Sequence, residues 1–448
     1  MRRLDTEKTA RAINGRPTAG GSFSGVYIDS RKPVKDALFV CIEGDRFDGH
    51  AFVSQAEEAG AACIMARKHI YTSLPVIYVD DTKKALLALA GYYRSMFRIP
   101  VVGLTGSVGK TTTKDLTAIA LGTKYRTLKT QGNLNNDIGV PITLFGMDEE
   151  TEAAVVEMGM NHKGEISVLT GAVRPTCAII TNVGVAHIEN LGSREGILSA
   201  KLEITEGLEP GAPLIINGDN DLLAGYDNPG YKIIRFGMES ERLDVRASDV
   251  VTKPTGTEFV IGSGGKEYPV FIPAVGMHIV YDALSAFAAG VECGAEPEKI
   301  AAAFADYVPS GMRGRIVRHG GVTVVEDCYN SNPDSAEASL KALMLIPAER
   351  HIAVLGDMLE LGEYSAEGHR RAGAAAVREG IDAVFAYGRE AKYIAEAARA
   401  GNIEVYEFTE PEKLAAALAA ELRAGDAVVF KASRGMALED VIGMIYNE

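Results

Sequence analysis

Short uninterrupted apolar runs alternate with stretches of helical spacing along most of the chain. Such runs read as strands buried on both faces, and their alternation with helices predicts α/β layers built on parallel sheets. Within residues 1–98 the runs fall at 26–28, 37–40, 62–65 and 76–79, with helices expected over 51–59 and 83–97, a small α/β unit. Between 99 and 309 a run from Val101 leads into a glycine turn and a helix predicted over 114–121. Further strands are expected at 153–156 with Glu157 at the end, at 178–181 and at 213–216. The Thr-, Val- and Gly-rich stretch 245–275 reads as an antiparallel hairpin inserted near the end of this unit. Helices at about 280–293 and after Pro297 close it. Residues 310–448 repeat the rhythm, with strands at 322–325, 351–355, 383–386, 405–408 and 427–430 and an alanine-rich helix at 414–422. That is the pattern of a Rossmann-like doubly wound domain, and without G-x-G-x-x-G after its first strand no dinucleotide is assigned to it.

Composition narrows the class. The chain has 448 residues, too many for one core, with 47% hydrophobic and 24% charged positions as in soluble globular proteins. A formal charge of −14 leaves no global basic field for nucleic acid or an anionic membrane. The N-terminus has arginines but no apolar segment of signal-peptide length, and no stretch approaches a spanning helix. Cys41, Cys63, Cys177, Cys293 and Cys328 are scattered without metal spacing, so reduced thiols in a cytoplasmic protein are expected.

The chemistry centres on Val101-Val102-Gly103-Leu104-Thr105-Gly106-Ser107-Val108-Gly109-Lys110-Thr111-Thr112-Thr113. Strict Walker spacing would put a glycine at Leu104, so the match is to the variant TGxxGKT. Glycines 106 and 109 let N–H groups of the loop close on phosphate, Lys110 reaches terminal phosphates, and the Thr111 hydroxyl suits Mg²⁺. An ordinary strand-to-helix turn would not need this combination of residues. ATP is the expected nucleotide.

Glu157, at a strand end on the same sheet edge, could be a hard-cation ligand or a solvated acid. His187 and Lys201 do not stand out by themselves: one could be a packed histidine, the other a surface charge on a helix. Asn133, Asn135 and Asn136, beside Gly and Pro, exceed what one turn needs and suit a polar substrate. Asp29-Ser30-Arg31 and Gly44-Asp45-Arg46-Phe47-Asp48-Gly49-His50 are loops after strands, where ligands are held, yet either could be plain turn chemistry.

Taken together, TGSVGKTTTK, QGNLNNDIGVP, VVEMGMNHKGEI, NVGVAHIENLGS, SAKLEI, GRIVRHGGVTVVEDCYNSNPDS and LGDMLELG resemble, in order and spacing, the Mur ligases, over nearly the whole chain. GNLNN, DCYNSNP and LGDMLELG are most similar to the members that add D-alanyl-D-alanine, and the DNPR motif of the neighbouring diamino-acid-adding members is absent. The resemblance implies a three-domain architecture: 1–98 for the UDP substrate, a central P-loop domain 99–309 for ATP, and 310–448 for the amine substrate. It implies an ATP-dependent ligase acting on UDP-N-acetylmuramoyl-tripeptide and D-alanyl-D-alanine through an acyl phosphate, as a cytoplasmic monomer. It gives Gly106 to Thr112 the ATP phosphates, Thr111 and Glu157 one Mg²⁺, His187 a second, and makes Lys201 a carbamylated lysine. It assigns Arg315 to the γ-phosphate, Asp327 to the ribose, and Tyr329, Asn330 and Asn332 to the nucleotide edge. Ser30, Arg31, Asp48, Gly49 and His50 would take the uridine diphosphate, and Ser433 and Arg434 match a KGSR-like motif. The chain departs from the family at Ile279 and Asp282, where G-x-H-N-x-x-N has asparagines, one of which helps read adenine, and at Ala432, where KGSR has glycine. The rival readings are another Mur-like or folylpolyglutamate-like ligase, a non-catalytic nucleotide-binding scaffold and a P-loop transport or mechanical ATPase. The scaffold would be expected to lose Lys110, Glu157 or Lys201, and the ATPase lacks a second nucleotide motif.

Overall fold

The computed structural model describes the chain except residues 45, 46, 254, 402, 447 and 448. In its N-terminal part five short strands pair in the order Arg16–Pro17, Val76–Tyr78, Cys63–Ala66, Leu38–Val40, Val26–Tyr27. Only the first pairing is antiparallel. Of the polar island that follows Val40, Asp45 and Arg46 lie outside the described residues.

The central sheet runs Thr127–Lys129, Ala153–Glu157, Val101–Thr105, Cys177–Ile180, Pro213–Asn217, Lys232–Gly237, Val245–Lys253, all parallel. Gly256–Ser263 and Lys266–Ile272 then extend it antiparallel. The stretch expected as an inserted hairpin is thus the edge of the main sheet. Phe259, Ile261, Val270 and Ile272 share a core with Leu116 and Phe287, so its apolar alternation records one-sided burial against helices. The phosphate-loop helix begins at Lys110, not at 114. Threonine is a weak helix former, but Thr111 and Thr113 are buried and hydrogen-bonded, and that tertiary gain overrides propensity.

The C-terminal sheet has the order Arg315–His319, Val322–Glu326, Asp426–Lys431, Arg350–Gly356, Ala383–Tyr387, Glu404–Phe408, parallel except for the first pair. Separate apolar clusters line its two faces, one around Leu340 and Ala375, the other around Phe385 and Leu418. This is the doubly wound arrangement expected of the last third. No helix among the described residues is long and apolar enough to cross a membrane.

The two seams differ. The Thr82–Arg94 helix shares a continuous core with the central sheet's helices, from Leu86 and Leu89 to Leu169 and Val173. Within that seam the Tyr93 hydroxyl donates to the Met147 carbonyl over 2.6 Å, and the Arg94 guanidinium donates to the carbonyls of Phe97, Val173 and Arg174 at 2.7, 3.0 and 3.2 Å. The C-terminal unit is joined more sparsely. In the connecting chain the Ser310 hydroxyl donates to the buried Asp115 carboxylate over 2.6 Å, and Gly311 and Gly314 have φ of +65° and +72°, left-handed backbone that favours glycine.

Candidate active site

A cavity of about 1440 Å³ is bounded by the phosphate loop, the Thr82–Arg94 helix, the Asn133–Asn136 loop and the edge of the C-terminal sheet. The loop's shape is enforced locally. Gly109 has φ +81°, and a Cβ there would strike Asp282; a Cβ on Gly106 would strike the Thr181 hydroxyl. Asn182 accepts from the N–H groups of Ser107 and Val108 at 3.1 and 3.0 Å, while the Thr181 hydroxyl donates to the Val108 carbonyl at 2.7 Å. Two loop N–H groups expected to face phosphate are therefore spent on Asn182. The first turn of the Lys110–Gly122 helix still offers donors without intrahelical acceptors, at the positive end of its dipole. Asn182 as a shaper of the loop was hidden in the sequence, where it is one more polar residue after a strand.

Lys110 lies at the helix start, its amine donating to the Gly106 carbonyl over 2.8 Å. Burial lowers its pKa, Glu157 acts the other way, and Arg313 adds to the lowering. Glu157 ends its strand with a carboxylate 2% exposed. It accepts from the Thr111 hydroxyl at 3.1 Å and from the Asn135 amide at 2.8 Å. Asn136 instead accepts from the N–H groups of Ile138 and Gly139, so its side chain caps the helix that follows, while Asn133 lines the cavity.

His187 also lines the cavity, on left-handed backbone with φ +62°. Burial, with Lys110 and Lys201 nearby, lowers its pKa to about 4, so the ring is neutral. Lys201 sits beneath the cavity lining, 1% exposed. Burial, aided by Lys110, drives its pKa well down, and it has no ion pair among the described residues. A lysine that pattern reading places on a helix surface is thus buried, with its pKa pushed down.

From the C-terminal sheet come Asp327, Tyr329, Asn330 and Asn332. Asp327 pairs with Lys431 at 3.0 Å and accepts from the Ser339 hydroxyl. Asn332 caps the Pro333–Met344 helix by accepting from the Ser335 N–H at 2.9 Å. The arginine that the C-terminal side brings to the cavity wall is Arg313, its guanidinium 3.6 Å over the Tyr329 ring. Arg315, the residue expected at the γ-phosphate, is not among the lining residues; it begins a strand with its side chain 57% exposed and 3.6 Å from Glu326. The glycine between the two arginines gives no sign in the sequence of which one turns inward.

The remaining expected residues are not brought to this cavity. Arg31 turns back onto Asp29 at 2.8 Å, and Ser30 is buried beside it. Asp48 accepts from His50 and Lys68, both at 2.6 Å. The His50 Nε2 accepts from the N–H groups of Arg67 and Lys68, leaving the proton on Nδ1 toward Asp48. A Cβ on Gly49 would strike the backbone of Cys41 and Ile42. Glu43, Asp48 and His50 come together as cation ligands would, but Lys68 and Arg67 already pair with the two carboxylates. Ser433 is buried and accepts from the Leu359 N–H at 2.9 Å; Arg434 pairs with Glu439.

Where the family motif has asparagines, Ile279 is buried in the core, and Asp282 lines the cavity together with His278 and Tyr281. Ala432 is buried, and its methyl group is what a Cβ on Gly356 would strike.

Three family models match in succession: the Mur ligase family catalytic domain over residues 22–94, the Mur ligase middle domain over 104–290, and the Mur ligase glutamate ligase domain over 312–434. The UDP-N-acetylmuramoyl-tripeptide--D-alanyl-D-alanine ligase of Bacillus subtilis is 41% identical, covering 93% of this chain and 92% of its own. Its Escherichia coli counterpart is 35% identical, covering 94% and 93%. Among solved structures, MurF from Acinetobacter baumannii superposes with a TM-score of 0.92 at 28% identity over the whole of both chains. MurF from Thermotoga maritima in complex with ADP gives 0.85 at 29% identity, covering 95% of this chain and 97% of that one.

Proposed function

Because the chain belongs to the Mur ligase family, on its MurF branch, we propose that it joins D-alanyl-D-alanine to UDP-N-acetylmuramoyl-tripeptide with ATP, as a cytoplasmic monomer. Residues 1–98 take the UDP portion, 99–309 the ATP, and 310–448 the incoming amine. The observation that carries this reading is the shared cavity. Lys110, Thr111 and Glu157 of the central sheet face Arg313, Asp327 and Tyr329 across it, so a nucleotide held by the loop would be enclosed from the C-terminal side.

The tripeptide's terminal carboxylate attacks the γ-phosphorus, ADP leaves, and an acyl phosphate forms. The dipeptide amine, after losing a proton, attacks the acyl carbon, and inorganic phosphate leaves. Lys110 and Arg313 stabilise charge that grows on the phosphate oxygens as the first step proceeds. Asp327 holds the ribose, with Tyr329, Asn330 and Asn332 along the nucleotide edge. The C-terminal wall excludes water that would hydrolyse the acyl phosphate.

The residues fit Mg²⁺. A buried carboxylate facing a hydroxyl at 3.1 Å beside the phosphate loop is a hard-oxygen donor pair. Thr111 and Glu157 would hold one ion and His187 with Lys201 a second, and bound Mg²⁺ supplies further neutralisation of phosphate charge. Lys201 carries CO₂ as a carbamate in this reading. Burial pushes its pKa down, towards the uncharged amine that adds CO₂, and the product offers anionic oxygens to a divalent ion where an ammonium could not.

The test is phosphate release from ATP with each substrate omitted or exchanged in turn. Release should require both UDP-N-acetylmuramoyl-tripeptide and D-alanyl-D-alanine. Equal turnover with a folate and glutamate, or with a free diamino acid as the amine, would replace this reading.

A further inference from the structure

The C-terminal unit reaches His187 itself through the loop that follows its Arg350–Gly356 strand. The Arg350–Gly356 strand ends at Asp357, and the chain continues Met358-Leu359-Glu360-Leu361-Gly362. This loop is held firmly by its own unit. Asp357 accepts from the N–H groups of Arg389, Glu390 and Ala391 at 3.0, 3.0 and 2.8 Å. The Met358 N–H donates to His369 Nε2 and the Leu359 N–H to the Ser433 hydroxyl, each at 2.9 Å. Leu361 is buried. Between these anchors Glu360 turns outward on left-handed backbone, φ +64°, a conformation unfavourable for a side chain of its size and sustained only because the loop around it is over-determined.

What Glu360 meets is His187, with Oε2 2.9 Å from Nδ1. Two further contacts flank the pair: the Val185 N–H donates to Asp334 over 3.3 Å, and Gly362 lies against Glu189, where a Cβ would collide. The segment 185–189 is therefore gripped on both sides of His187 by the C-terminal unit. Nδ1 is buried and, despite the short separation from Glu360, has no aligned hydrogen bond among the described residues. A small rotation of either side chain, with no change of separation, would align one.

We propose that Glu360 is a positioning residue through which docking of the C-terminal unit sets the imidazole of His187, holding the proton on Nδ1 and leaving the Nε2 lone pair for the cavity. The proposal rests on the metal-side role of His187 given above. A neutral imidazole has two tautomers, and a carboxylate beside one nitrogen selects the N–H form there and frees the other as a ligand. Here that carboxylate belongs to the unit that brings the amine substrate. The histidine is set only when that unit is docked, which ties readiness for phosphoryl transfer to exclusion of water.

Glu360→Ala, Glu360→Gln and His187→Ala in the full chain provide the test. Glu360→Ala should lower kcat ~10-fold or more, with KM for ATP and for D-alanyl-D-alanine within about twofold of wild type. Glu360→Gln should recover most of the loss, since its amide oxygen still accepts from Nδ1–H. In metal-free protein, ¹⁵N imidazole spectra should show the Nδ1–H tautomer of His187 in wild type and a mixture in Glu360→Ala. An unchanged kcat or an unchanged tautomer in Glu360→Ala would overturn the proposal. So would a glutamine variant as impaired as the alanine one with a raised KM for D-alanyl-D-alanine, which would make Glu360 a counter-ion for the dipeptide ammonium. Full activity in His187→Ala would remove the metal-side reading and the proposal with it, whereas an impaired His187→Ala beside an unimpaired Glu360→Ala removes the proposal alone.

Discussion

Asp282 accepts a hydrogen bond from the Thr113 hydroxyl over 2.9 Å, so the Met277–Glu292 helix is pinned to the phosphate-loop helix by a buried carboxyl group. Its second oxygen has no partner among the described residues. Burial raises its pKa to about 8, and the Thr113 hydrogen bond only partly opposes that. An unfolded aspartate titrates near 4. The stability this group contributes is thus full below pH ~4 and is lost as pH rises towards 8, because only the folded state retains the proton.

The Asp282→Asn variant has no proton to lose. Its melting temperature should fall less than wild type between pH 5 and pH 8.5, with a relative gain of at least ~1 kcal/mol at pH 8 in denaturant titrations. Parallel pH profiles for the two proteins would mean that Asp282 is ionised in the folded state.

Lys110 is the cation set within the phosphate loop itself. Lys110→Ala should lower kcat at least ~100-fold, since the lost interaction is with charge that grows in the transition state. Steady-state ligation at saturating ATP measures this, and near-normal turnover would remove Lys110 from the reaction.

Arg313 and Arg315 are separated by one residue, but only Arg313 faces the cavity. Arg313→Ala should cost ~10-fold or more in kcat, while Arg315→Ala should stay within about threefold of wild type, its exposed pairing with Glu326 contributing little. The reverse order of effects would restore Arg315 to the γ-phosphate.

Lys201→Ala should be nearly inactive because a ligand is lost, and still folded although a buried side chain is shortened, since its amine makes no ion pair among the described residues. Acetate or formate at high concentration should partly restore turnover by supplying carboxylate oxygens in the vacated space. Circular dichroism and rescue kinetics read the two halves separately, and wild-type activity without added acid would return Lys201 to a structural role.

The apolar runs marked most strands of the three larger sheets, because strands covered on both faces leave unbroken hydrophobic stretches, as at Val101–Thr105 and Cys177–Ile180. Runs at Thr127–Lys129 and Arg315–His319 escaped notice because they are half-exposed edges with charged residues. The phosphate loop, Glu157 and the asparagine cluster were legible from residue type next to a strand end. Three-dimensional choices were not. Which of Arg313 and Arg315 turns inward, that Asn136 caps a helix while Asn135 holds Glu157, and that Glu360 meets His187 across 173 positions all depend on the course of chains distant in sequence. Lys201 is the sharpest case, since nothing in its helix's own sequence predicts that its amine will be sealed from water.

The hydrogen bond from Ser310 to Asp115 has a mechanical consequence. It fixes the connecting chain to the same helix that carries Lys110 and Thr111, so any rotation of the C-terminal unit would turn about a point set beside the phosphate loop. Arg313, three residues past that point and bracketed by Gly311 and Gly314, would trace a short arc. Residues farther from the connecting chain would sweep wider ones. Rotation about that point would therefore leave the phosphate-facing arginine nearly where it was and spend its travel on the contacts farther out, such as Glu360 with His187, so one hinge can hold the nucleotide steady while the cavity opens.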